Sequence, residues 1–195
     1  KTKYKINTKF ILFVGRFSKS KGIETLIHAF NIIQNNNQFL DIHLVIMGVD
    51  FGYEQSMEEL IKINDLSEKI IVIKNPPRDD VISAYQESEF LVLPSQWELS
   101  PLVPLESFAF KKPVISTKSH GIPFTVQDNK NGILVEPNNS NPVKTNTSLV
   151  SALLLPFVIL LSTIILTSAF TVDFNWLYPL RDHRRFGSLV FPQPI

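Results

Sequence analysis

Two cations around one glycine turn and two carboxylates eight residues apart are the residues of this 195-residue chain best suited to chemistry. Arg16 follows Gly15 at the end of the apolar run 10–14, and Lys21 stands five residues later, directly before Gly22. A guanidinium fork and a compact ammonium at the mouth of a strand, with a helix pattern starting at once, make a place to hold a diphosphate. Gly15 and Gly22 let the backbone approach such a ligand. Glu98 and Glu106 flank the run Leu-Ser-Pro-Leu-Val-Pro-Leu. A carboxylate can accept two neighbouring hydroxyls at once. Cations for a phosphate leaving group, together with carboxylates for sugar hydroxyls, point to a nucleotide-sugar site.

These residues need a frame. Apolar runs at 10–14, 41–48, 70–73, 90–93, 114–116 and 132–135 read as strands. Segments 22–34, 54–63, 79–87 and 102–110 carry apolar residues at helical spacing. The alternation predicts an α/β fold over residues 8–140: a doubly wound, Rossmann-like parallel sheet with helices on both faces. Ligands in such sheets bind beyond the carboxyl ends of the strands. Gly15, Gly48, Asn75 and Ser95 fall at those ends. Ser100 and Pro101 read as the N-cap and first residue of the helix that follows, which would turn the amides near residues 99–102 toward a ligand.

Bulk properties exclude several classes. The net charge of +1 implies no nucleic-acid partner. With no cysteine and four scattered histidines, no disulfide framework and no metal-ligand spacing is present in the sequence. A reducing cytosol fits this composition. The chain begins with Lys1 and opens without a signal-peptide pattern. Composition then shifts near residue 142. Every lysine and every glutamate lies at or before Lys144, and residues 145–172 carry no charge. The expected division is therefore a nucleotide-sugar domain over 1–141 and an apolar tail over 142–195. Segment 149–171 is long and apolar enough to cross a bilayer. A buried helix pair there is disfavoured by Pro156. The abrupt loss of lysine and glutamate favours an out-of-frame or foreign sequence over a membrane anchor.

The ordered set Gly15-Arg16…Lys21-Gly22, Val45-Ile46-Met47-Gly48, Leu93-Pro94-Ser95, Glu98…Glu106, Lys112-Pro113-Val114-Ile115, Gly121-Ile122-Pro123 and Asn131-Gly132-Ile133-Leu134-Val135-Glu136-Pro137 resembles the C-terminal, donor-binding domain of the retaining GT-B glycosyltransferases of family 4, the glycosyl transferases group 1. The resemblance covers roughly residues 8–140. It implies hexosyl transfer from a nucleoside diphosphate sugar to a saccharide or lipid-linked acceptor, with no cofactor beyond the donor and no metal. It gives Arg16 and Lys21 to the diphosphate, Glu106 to the ribose, Glu98 to the transferred sugar as the catalytic carboxylate, and Pro76, in the loop 75–77, to the base. Gly15, Ser100 and Leu102 complete the donor site. It also implies an N-terminal acceptor domain that this chain lacks, so that the chain alone would be inactive. The expected location is the cytoplasm, at the cytoplasmic face of the membrane if 149–171 is an anchor.

The chain departs from the family's pattern in three places. Leu99-Ser100-Pro101 replaces a frequent glycine pair, His120-Gly121 replaces Gly-Gly, and Phe124 stands where a glutamate is common. Other classes fit less well. A glycoside hydrolase using Glu98 and Glu106 has no need for Arg16 and Lys21 at a strand end. A dinucleotide oxidoreductase lacks its G-x-G-x-x-G spacing. A non-catalytic nucleotide-binding remnant or interaction module is the remaining alternative.

Overall fold

The structure, a computed structural model, describes Tyr4, residues 6–35, residues 41–137 and the pair Ala152–Leu153. Among the described residues of 6–137, six strands alternate with five α-helices: β1 (Lys9–Val14), α1 (Ile23–Gln34), β2 (Ile42–Gly48), α2 (Glu54–Ile63), β3 (Ile70–Lys74), α3 (Arg78–Glu87), β4 (Phe90–Leu93), α4 (Val103–Ala109), β5 (Val114–Thr117), α5 (Ile122–Thr125) and β6 (Gly132–Val135). A 3-10 turn, Lys19–Lys21, precedes α1. The strands form one sheet in the order β3-β2-β1-β4-β5-β6, and every pairing is parallel. The doubly wound sheet expected from the sequence is present, with strand limits within a residue or two of those read from the apolar runs.

Side chains on a strand alternate between faces, so each apolar run feeds two cores. Ile11, Phe13, Leu44, Ile46, Phe90 and Val92 face one side, under Leu26, Ile27 and Phe30 of α1 and Met57 of α2. Phe10, Leu12, Val45, Met47, Leu91 and Val114 face the other, under Val81 and Tyr85 of α3 and Ile122 of α5. The strand order reverses between β1 and β4. Outside their carboxyl ends lies the crevice where such sheets take ligands.

One local expectation is overturned. α4 does not open at Ser100-Pro101: Leu102 is its N-cap, Val103 its first residue, and Ser100 makes no capping bond. The cause is Pro104. A helix capped by Ser100 would put Pro104 at the position whose N–H closes the first intrahelical bond, and proline has none. Starting at Val103 moves Pro104 into the first turn, where no donor is needed. The four-residue α5 was not anticipated, because it is too short to show periodicity.

The boundary at 141 and the segment 149–171 lie outside the described residues, apart from Ala152 and Leu153. That pair is buried with the α1 and α2 face of the sheet. Among the described residues no helix is long and apolar enough to cross a membrane.

The carboxyl edge is packed backbone to backbone. Gly15 N donates to Met47 O at 3.0 Å, Phe17 N to Val49 O at 2.8 Å and Phe51 N to Phe17 O at 3.0 Å. These bonds continue the pairing of β1 with β2 past the strand ends. A Cβ at Gly48 would stand 1.7 Å from the carbonyl oxygen of Gly15. Gly48→Ala is therefore expected to destabilise the fold by about 1–3 kcal/mol through overpacking, measured as a lower midpoint in urea unfolding. An unchanged midpoint would mean that the two turns are not in contact.

Candidate donor site at the carboxyl edge of the sheet

The β1 turn and the β4–α4 loop meet at this edge. Gly22 adopts φ 69°, the left-handed conformation in which glycine is at ease. It ends the 3-10 turn and starts α1, its carbonyl accepting from Leu26 N at 3.0 Å. A Cβ on Gly22 would lie 2.0 Å from the carbonyl oxygen of Pro94. The loop thus lies directly on the glycine. Gln96 N adds a bond to Ser20 O at 2.8 Å.

These contacts bring Lys21 and Glu98 together. Lys21 Nζ donates to Glu98 Oε1 in an ion pair whose side chains are 11% and 17% exposed. Ser95 Oγ lies 3.5 Å from the same carboxylate oxygen. An ammonium has three donors, so two remain after Glu98 takes one. Gly15 sits at the mouth of β1. Arg16 follows it, exposed, its guanidinium 5.0 Å from the centroid of the Phe51 ring. A cleft of about 550 Å³ opens beside Phe51 and is also lined by Lys19, Glu24 and Tyr53.

The loop bearing Glu98 is pinned from β5. Ser116 Oγ donates to Leu93 O at 2.6 Å, Thr117 Oγ1 to Ser95 O at 2.5 Å and Ser119 Oγ to Gln96 O at 2.7 Å. Gly121 N donates to Glu98 O at 2.8 Å. Four successive donors thus hold the carbonyls of residues 93, 95, 96 and 98. The three hydroxyl residues are at most 2% exposed. A Cβ at Gly121 would meet the Leu99 carbonyl oxygen at 1.7 Å, so the glycine is required by the loop itself.

Glu106 lies one turn into α4, half-buried. Its Oε2 accepts from Tyr85 OH at 2.9 Å, and its Oε1 pairs with Arg78 Nη2 at 2.8 Å. Burial, with the Glu106 charge beside it, pushes the Tyr85 phenol well above the ordinary tyrosine range. The bond to Glu106, and then its charge, raise Arg78. Pro76 is half-buried in the β3–α3 loop. That loop is fixed by Asn75, at φ 48°, whose N–H donates to Gly48 O at 2.8 Å. Ser100 and Leu102 are exposed on the β4–α4 loop.

The structure thus pairs Lys21 with Glu98 and sets Glu106 at the head of the neighbouring helix. Arg16 rests on Phe51. Sequence reasoning missed the roles of Tyr85, Arg78, Thr117 and Ser119. The helical spacing over 79–87 marks Tyr85 only as apolar, yet a buried tyrosine needs a partner for its hydroxyl. The departures noted earlier have visible consequences. His120 is held at φ 43°, a conformation natural to the glycine it replaces, and its ring meets Trp97 edge-on at 5.7 Å. Phe124 is 90% exposed. Among the described residues no group of three or more histidine, aspartate or glutamate side chains is placed to hold a metal ion.

The fold is a Rossmann-like domain of the GT-B type. The family of glycosyl transferases group 1 matches residues 1–146, and the chain belongs to it. A relative from Methanocaldococcus jannaschii, named uncharacterized glycosyltransferase MJ1178, is 36% identical over 135 residues, covering 69% of this chain and 36% of its own length. A D-inositol 3-phosphate glycosyltransferase from Corynebacterium diphtheriae is 27% identical over 134 residues, covering 67% and 31%. The solved C-terminal domain of a glycosyl transferase group 1 family protein from Francisella tularensis superposes with a TM-score of 0.66 over 85% of this chain and 87% of that domain. Its sequence identity of 24% makes this a likeness of fold. The chain spans about a third of the length of the curated relatives it matches.

The hydroxyl ladder generates a test. Thr117→Val keeps the shape of the side chain and removes the donor to the buried Ser95 carbonyl. It is expected to cost about 1–3 kcal/mol, the penalty of an unsatisfied buried acceptor, read from urea unfolding. A cost near zero would show that the loop is held by its other contacts alone.

Proposed function

We propose that this chain binds the nucleoside diphosphate of an activated sugar at the carboxyl edge of its sheet and supplies the donor side of a retaining glycosyl transfer. The observation that carries the proposal is the ion pair of Lys21 with Glu98, which joins the β1 turn to the β4–α4 loop in a chain of this family, with Glu106 on the helix that follows. The family resemblance supports retention, family 4 and the C-terminal position of the domain. The acceptor is then a saccharide or a lipid-linked sugar.

The residues divide the work by charge. As the bond from the anomeric carbon to the diphosphate breaks, positive charge builds on the sugar and negative charge on the leaving phosphate. Lys21, with donors free beyond Glu98, and Arg16, swinging from Phe51, would meet that phosphate. Gly15 keeps the turn open to it. Glu98, held by the Gly121 amide through its own carbonyl and by Lys21 through its carboxylate, faces the transferred sugar as an acceptor of its hydroxyls. Glu106 takes the ribose, and Pro76 borders the base. Ser100 and Leu102 form the exposed rim of the loop on the donor side.

A second reading, nucleotide binding without transfer, is favoured by His120 and Phe124, which depart from the family pattern at the rim of the same site. Binding is common to both readings and is tested first. Isothermal titration of the chain with UDP and with GDP is expected to show binding of at least one. Arg16→Ala should weaken it by about 1.5–3 kcal/mol, the scale of a charge-assisted hydrogen bond. Equal affinity for wild type and variant would remove Arg16 from the site.

A further inference from the structure

Glu106 is gripped from two sides by one helix. Arg78 and Tyr85 stand seven residues apart on α3, which places them on a common face. Tyr85 is fully buried and donates to Oε2, whereas Arg78 is exposed and pairs with Oε1. The grip extends to the far end of α4. The Tyr85 ring stacks on Phe110 with centroids 5.7 Å apart and planes 9° from parallel. Phe110, the C-cap of α4, lies four residues after Glu106, one turn along the same helix. Ring and hydroxyl of a single tyrosine therefore fix both the helix and the carboxylate it carries.

A carboxylate has about four lone-pair sites. Tyr85 and Arg78 use two, one on each oxygen, and two remain. A vicinal diol needs two acceptor sites held at one spacing and in one plane. An unsupported glutamate would reach that state only after losing rotamer freedom on binding. With its raised pKa, Tyr85 keeps its proton through neutral pH and remains a donor.

We infer that Tyr85, with Arg78 as the outer arm, is a positioning residue that holds the Glu106 carboxylate for the 2′- and 3′-hydroxyls of a ribonucleoside diphosphate. The inference rests on the proposed reading of the site. It makes α3 the source of selection for ribose over deoxyribose, although neither residue need touch the ligand.

The test compares UDP and GDP with their 2′-deoxy counterparts by titration calorimetry of the full chain. Wild type is expected to prefer the ribose forms. Tyr85→Phe keeps the ring and its stack on Phe110. It should lose roughly tenfold in affinity for the ribose forms, with little change for the deoxy forms. Adding Glu106→Gln should then cost little more, because the two side chains act as a unit. Arg78→Ala, at an exposed position that does not threaten folding, should reduce the ribose preference by a smaller factor. A thermal midpoint checks each fold, and Arg78→Ala decides the matter if Tyr85→Phe does not fold. An undiminished ribose preference in the variant that folds overturns the inference and leaves the diphosphate reading standing. Equal losses for ribose and deoxyribose forms also overturn it, because they mark a purely structural role. Failure of wild type to bind any of the four nucleotides removes the nucleotide reading, and this inference with it.

Discussion

The carboxyl edge depends on one close contact, that of Gly22 with the Pro94 carbonyl. The 2.0 Å that would separate a Cβ at residue 22 from that oxygen leaves room for glycine only. Glycine also tolerates the φ of 69° that turns the chain from the 3-10 turn into α1. The contact sets the β4–α4 loop against the β1 turn and so brings Glu98 within reach of Lys21. Burying two charges is costly unless they are paired, and the pair is formed here between residues 77 apart in sequence. Any change that pushes the loop off Gly22 separates both charges from their partners.

The loop is then held on its other flank by β5. Ser116, Thr117 and Ser119 spend their hydroxyls on carbonyls of residues 93–96, and the Gly121 amide takes that of Glu98. A loop between a strand and a short helix would otherwise carry several buried acceptors with no partner. The arrangement makes the position of Glu98 a property of the sheet. Glu106 is fixed independently, through α3. Two carboxylates eight residues apart in sequence are thus oriented by different parts of the fold, as the proposed roles in holding different portions of one ligand would require.

Much of the frame was legible in the sequence because buried parallel strands read as apolar runs, and five of the six here are bounded by glycine, asparagine or proline close to their carboxyl ends. The family motifs, present in order, marked Arg16, Lys21, Glu98 and Glu106. What the sequence concealed was of two kinds. The start of α4 was misread because Ser100-Pro101 carries a strong capping signature, while the requirement that decided the boundary, a place for Pro104 without an N–H, emerges only when both prolines are weighed together. The supports of the site were missed because they are tertiary. Nothing local marks Tyr85 as the partner of Glu106, 21 residues on, or Thr117 as the partner of Ser95. His120 lies between these cases: its replacement of glycine was visible, and the left-handed backbone that explains the glycine preference was not.

The proposed nucleoside diphosphate settles between the β1 turn and the head of α4. Amide hydrogen exchange of the full chain, with and without saturating UDP or GDP, tests this placement most directly. Slower exchange is expected in residues 15–22, 75–78 and 94–106, with the outer strands β3 and β6 unchanged. Protection that spares all three of those segments, or that gathers instead at the groove of Tyr4, Ile6 and Ala84 beneath α3, would contradict it.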